Sequence, residues 1–582
     1  MNIGMKRKIT ICVIVAIIIG LVIVGVSTGV LPGKVFPMLK KAAMAVPPKM
    51  WIGLLFKFLV LTGLMGYITK TVNARKERFL NGEVDYRLDN NYSLIVGYDF
   101  QARPLIKRLL SNSPDARVLL ITDRNVRAIR AEMNTELSKK ESARLMYMRR
   151  DLALPGTYSG LRIREANAIY VLGDEGVPGR DGIVLRASDM LAAKAESESL
   201  ADSNVPVKAY LQFEDPGVYS QMCSQKLSMD RKDQNGNALF DLEVFNYYDS
   251  WVWKCWSEKD SADGSNPYLP LRFKADAERV ELFVIGSGKA TKAVVYSAIT
   301  LMNYGEDARH CRMTVVSDRS SEILPSDEVI NALPELELVE YSARDLNRKV
   351  SAKMLEAASD EKSAVTIVIV EDAPEKVVKT YLSLPFALRN KEISVLLWMG
   401  SQSRNIPEKS LIQVVGDRTK LRYFGMTDCL PWYASNRQKL GVAVQYYYSD
   451  CYGDKRMPSG TDVALIATAK SLWNEEKATQ DWNGMERWRK WSSASSASSF
   501  KEKTAIICGR AMTSELQLKL LKAEHNRWWS ERLLGDWRLG ARDNERRLHP
   551  NLVPFEELDD FTKDIDKLCI AAMAQQGFIA GT

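Results

Sequence analysis

A chain of 582 residues has room for three or four domains, and a hydrophobic content of 46% is enough for ordinary cores. Eight cysteines without a Cys-x-x-Cys pair, beside only three histidines, point to a reducing compartment and to no structural zinc or other bound metal. Of the net charge of +8, the first 80 residues supply +11 (12 Lys and Arg against Glu77), which leaves −3 for the rest and argues against a nucleic-acid partner.

Residues 1–80 read as a membrane anchor. Ile9 to Leu31 is a run of 23 positions without a charge, and a hydrocarbon layer needs about 20. Trp51 to Thr69 is a second run of spanning length, with Lys57 inside it. Cations flank both runs more densely than they occupy the connector, so both termini are expected in the cytoplasm and the anchor in the inner (plasma) membrane. The connector has no Thr-Val-Gly-Tyr-Gly-like filter, so nothing supports a two-helix potassium channel.

From Tyr92 the pattern changes to short apolar runs alternating with amphipathic helices, which predicts a doubly wound α/β domain over 90–220. SLIVGYDF, VLLITD, RLMYM, AIYVLGD and VKAYLQF are the expected strands. The turn after the first carries Gly97, but Asp99 stands where a second glycine belongs, and Asp123 closes the second strand where a ribose-binding acid would sit. The order of these elements resembles the TrkA-N (RCK) regulatory domain of potassium transport systems. Residues 221–275 follow as a connector, with Phe240, Phe245, Tyr248, Trp251, Trp253 and Trp256 read as an aromatic helix that seals one domain against the next.

A second α/β domain is expected over 278–430. ELFVIGSGKATKA reads as strand, turn and helix, with Gly286, Gly288 and Lys289 placed to receive a phosphate and Asp318 ending the next strand. The other reading of this turn is close helix-to-strand packing with no ligand. The chain thus looks like tandem TrkA-N-like halves, and the resemblance implies that such a pair clamps NAD or another adenine nucleotide, or forms the face of a homo-oligomer.

Residues 431–510 read as helical, and SSASSASS, Ser492 to Ser499, reads as a flexible hinge. In 511–582, Glu524, Arg527, Trp528, Glu531 and Leu534 recur at helical steps. Gly535 and Gly540 then interrupt the helix before an ordered, turn-rich loop. GDWRLG, HPNLVPFEEL and KDIDK together resemble the RyR module, a small repeat domain named after ryanodine receptors. Asp536 stands where that family usually has Gly, and Leu539 where it usually has Tyr. Arg527, Arg532, Arg538 and Arg542 with Trp528, Trp529 and Trp537 offer guanidinium forks for phosphate and indoles for a flat ring, which suits a nucleotide-like ligand. Arg527, Trp528, Trp537, Arg542 and His549 are the candidate ligand-binding residues of this module. His525 and His549 have no nucleophile, metal spacing or carboxylate pair beside them, so no catalytic residue is assigned.

The expectation is a membrane-anchored cytosolic sensor or regulator, acting in ion transport or as a nucleotide-signalled membrane effector. Its competitors are a dinucleotide-dependent enzyme and a scaffold that binds no small molecule.

Overall fold

The computed structural model describes residues 48–86, 88, 91–198, 205–233, 236–257, 278–305, 311–371, 373–391, 393–400, 420–424, 434–454, 471–507 and 509–579. Residues 1–84 form one unit and 85–582 another. In the first, helix α1 (Pro48–Leu80) includes the stretch expected to be the second span, and Leu64, Met65, Tyr67, Ile68 and Val72 on it are exposed. The expected first span, Ile9 to Leu31, lies outside the described residues. Among those residues no helix is long and apolar enough to cross a membrane.

The second unit holds two six-stranded parallel sheets. The first joins β1 (Tyr92–Val96), β2 (Arg117–Thr122), β3 (Leu145–Arg149), β4 (Ala166–Val171), β5 (Val207–Gln212) and β6 (Phe240–Phe245) in the order β3-β2-β1-β4-β5-β6. Its main crossover helices are α2 (Ala102–Asn112), α3 (Val126–Glu136), α4 (Arg180–Ser197) and α5 (Pro216–Cys223). The second joins β7 (Arg279–Gly286), β8 (Cys311–Val316), β9 (Leu336–Tyr341), β10 (Ser363–Val370), β11 (Ser394–Trp398) and β12 (Lys420–Phe424) in the equivalent order, with α7 (Lys289–Leu301) after its first strand, α8 (Ser351–Ser359) before β10 and α9 (Pro374–Ser383) after it. Strands buried on both faces, such as SAVTIVIV in β10, are what a parallel sheet covered by helices requires. Both sheets are therefore doubly wound α/β units of Rossmann-like strand order.

Two sequence expectations are corrected here. FDLEVF is a strand and not part of a helix, so the first domain runs past 220 to the end of β6. Asn246 makes the break: its side chain donates to Phe213 O at 2.7 Å and accepts from Asp249 N at 2.8 Å, closing the strand and opening α6 (Tyr247–Ser257). That helix does join the sheets, with Trp251 packed edge-on to Trp398 at 4.4 Å and Trp256 Nε1 donating to Ser297 Oγ at 3.0 Å.

The second correction concerns the serines. After α10 (Ala434–Asp454) and α11 (Glu475–Gly484), most of the expected hinge belongs to helix α12 (Arg487–Ser498), with Ser493, Ala494, Ser495, Ser496 and Ala497 buried. Small side chains let α12 approach α10 closely. A Cβ added to Gly441 of α10 would lie 2.8 Å from Ala494 N, so the glycine belongs to the same contact. α13 (Phe500–Ile507) leads to the long α14 (Ser514–Leu534). Two-residue strands β13 (Arg538–Leu539) and β14 (Leu548–His549) and helices α15 (Asp560–Ile565) and α16 (Lys567–Gln575) follow.

Candidate functional site

The first sheet's turn is filled from within. Asp99, buried, accepts from Gln101 N at 3.0 Å and Ala102 N at 2.9 Å at the start of α2, and it pairs with Arg180 Nη2 at 2.7 Å. Asp174 accepts from Tyr98 N, Thr122 Oγ1 and Asp123 N at 2.7, 2.5 and 2.9 Å. The amides that would face a phosphate thus already donate to carboxylates. Gly97, with φ of 93°, is needed because a Cβ there would lie 2.3 Å from Gly173 C. Asp123 is exposed, and Arg149 Nε donates to its carbonyl oxygen at 3.1 Å. Gly97 is thus explained by its close approach to Gly173, and Asp123 stands exposed at the end of β2.

At the second turn a Cβ on Gly286 would lie 1.7 Å from Val370 O, so this glycine serves strand-to-strand packing. Gly288 caps α7 with φ of 90°. Lys289 Nζ reaches Glu214 Oε2 of the first domain at 2.5 Å, and one helical turn on Lys292 Nζ reaches Asp215 Oδ2 at 2.9 Å. The lysine expected to meet a phosphate thus meets a carboxylate of the neighbouring sheet. Asp318, exposed beyond β8, accepts from Ala343 N at 3.0 Å through Oδ1.

The residues expected at the C-terminal module converge. A cavity of about 1080 Å³ is walled by α10, α12 and α14, the loop after α14, and residues 224–226 and 561–566. Arg527, Trp528, Trp537, Arg542 and His549 all line it. The turn-rich loop comes back over α14 because Asp536 and Arg547 take positive φ values of 63° and 55°. His549 is thereby set edge-on to Trp528 at 4.9 Å, with Trp537 at 6.3 Å.

Arg527 is on the wall but already engaged. It pairs with Glu524 at 2.9 Å and Glu531 at 2.5 Å and donates to Ser495 Oγ at 3.1 Å. Glu524 also pairs with Lys503 at 2.7 Å and accepts from Ser496 Oγ at 2.8 Å. These partners overcome burial and hold the Glu524 carboxyl down at about 2. Burial, with Arg542 and Arg532 nearby, pulls the His549 imidazole down to about 4. His525 Nε2 is 2.8 Å from Val553 O, which ties the loop to α14.

Sequence reasoning missed three parts of this wall. Tyr448 of α10 and Asp566 at the head of α16 lie far from the motif in sequence, and the serines of α12 were assigned to a hinge. The available signal was the run of small residues, since a helix that must approach two others closely is built from them.

No protein-family model matches the chain, and no curated protein matches it. Solved structures of the GsuK channel are similar to it. A point mutant shares 13% identity over 63% of this chain and 74% of that chain, with a TM-score of 0.38. The ADP-bound form shares 15% over 62% and 75%, with a TM-score of 0.36, and the NAD-bound form 12% over 70% and 76%, also at 0.36. Likeness at this level carries no argument about ligand or mechanism.

Proposed function

We propose that the protein is a membrane-anchored sensor whose C-terminal, RyR-like module binds a nucleotide-type ligand and whose tandem TrkA-N-like sheets carry the response toward the membrane helices. The observation that carries this reading is the cavity that gathers indoles, guanidinium groups and two histidines from α12, α14 and the loop after α14. Flat rings stack on indoles and phosphates take guanidinium forks, which is the chemistry of a nucleotide. The first turn is filled by Asp99, and Lys289 at the second is paired with Glu214, so both favour the C-terminal cavity as the place of binding. The apolar runs at Ile9–Leu31 and Trp51–Thr69 support inner-membrane anchoring with the sheets in the cytoplasm, acting as a homo-oligomer. The role is regulation of ion movement or a membrane effector switched by a nucleotide signal. The reading is of binding without turnover.

The test is a thermal-shift series on the full chain in detergent with NAD, ADP-ribose, ATP and cyclic oligonucleotides. Ligand at about 100 times its dissociation constant adds about 2.7 kcal/mol of stability. The shift is expected to disappear in Trp537→Ala and to survive in Gly288→Asp. The reverse pattern moves the site to the second sheet, and no shift with any compound leaves a scaffold.

A further inference from the structure

Not every cation on the cavity wall has an ion-pair partner. Glu524 and Glu531 are taken up by Arg527 and Lys503. Of the four further guanidinium groups on this wall, Arg489 pairs with Glu486 and Arg547 with Asp536, whereas Arg532 and Arg542 form no ion pair among the described residues. Arg532 lies against Trp528 and Trp537, its guanidinium carbon 5.6 and 5.0 Å from their ring centres. Its Nε has no acceptor, and its Nη2 has only a long contact of 3.4 Å to Ser492 Oγ. Burial, helped by Arg527 and Arg542, lowers its pKa despite the pull of Glu531. A cation held by two indoles and lacking a counter-ion is costly, and an oxyanion on its fork relieves that cost.

Asp566, also on the wall, is opposite in character. It is 8% exposed, and among the described residues no group donates to its carboxyl. A carboxyl buried with neither a donor nor an ion-pair partner favours its neutral form, which has an O–H to give, and burial first and Glu524 second shift it in that direction. Tyr448 is within electrostatic reach of both Arg532 and Asp566. The wall thus offers an anion holder at one place and a neutral hydrogen-bond donor at another.

We propose that the cavity takes a phosphorylated heteroaromatic compound in one orientation, its phosphate on Arg532 and Arg542 and a ring-nitrogen acceptor on the Asp566 O–H. This rests on the nucleotide reading above and adds which end of the ligand meets which residue. Arg527, with its forks already occupied, is assigned to the frame of the cavity.

The test measures binding of AMP and adenosine to the full chain in detergent, by titration calorimetry, in the native form and in Arg532→Gln, Asp566→Leu and Asp566→Asn. AMP is expected to bind about tenfold or more tighter than adenosine, the margin of one charged hydrogen-bonded contact. Arg532→Gln should remove that margin while changing adenosine affinity by less than about twofold, because the contact belongs to the phosphate. Asp566→Leu should weaken both compounds by about tenfold, and Asp566→Asn, which keeps an N–H donor, should recover most of that loss. Equal losses for both compounds in Arg532→Gln, or unchanged binding in Asp566→Leu, overturns the orientation. If neither compound binds while a dinucleotide still shifts the melting point, the orientation falls and the sensor reading stands. If nothing binds, both fall.

Discussion

Arg527 and Arg542 occupy the same wall and were indistinguishable in the sequence, because residue type and helical spacing show which side chains share a face but not which already have partners. The structure separates them. Removing one member of a buried ion network leaves the other charges uncompensated, so Arg527→Met is expected to destabilise the fold by about 3–5 kcal/mol, seen as a lower denaturation midpoint. Exposed Arg542, changed to alanine, should leave that midpoint within about 0.5 kcal/mol of the native value and act on binding alone. The same network sets the response to acid. His549 has its folded pKa lowered from 6.5 to about 4, so the unfolded chain binds more protons between those values and stability falls as pH drops through that window. Glu524, lowered from 4.5 to about 2, adds a second loss below pH 4.5. Both contributions are complete above pH 6.5. Between pH 6.5 and 4 the melting temperature of the native chain should drop relative to that of His549→Gln as acid is added; a difference between the two that does not change with pH would remove His549 from this account.

Five strands of the first sheet, the first two of the second and helix α14 were legible because short apolar runs and helical spacing carry that signal directly. β6 was not, since a strand that runs into an aromatic helix through one asparagine has no period of its own. The serine run misled for a related reason: composition alone describes a linker and a close-packed helix in the same letters. What decided between them is the partner surface, and the α10–α12 contact can be tested as such. A Cβ at Gly441 meets backbone atoms of Ala494 at 2.8 and 2.9 Å, so the two helices must part. Gly441→Val is expected to cost about 1–3 kcal/mol and to weaken ligand binding, because α10 and α12 both wall the cavity. Ser498→Gly, at the end of α12 and outside the buried run, should cost less than about 1 kcal/mol, whereas a true hinge would tolerate both changes equally.

One apolar cluster includes Ile95 and Leu120 of the first sheet, Trp251 of α6, Val284 of the second sheet, and Leu520 and Ile570 of the C-terminal helices. Elements that share a core in this way unfold together, so calorimetry of the full chain should show one main transition for residues 85–582 and not three. Separate transitions for the sheets and the C-terminal module would contradict that. The sequence placed domain boundaries between these parts because linkers and motifs mark them, but the apolar faces that join them are spread over hundreds of residues and leave no local trace. A shared core also provides a route by which occupancy of the cavity can bias the rest of the unit. Asp99 and Asp174, fixed in the first turn, would give the proposed sensor a filter against noise. Carboxylates that are part of the chain are present at unit occupancy whatever the metabolic state, so everyday swings in abundant nucleotides have nothing to displace cheaply there. The proposed detector would stay quiet against a high background, with its threshold set at the C-terminal cavity.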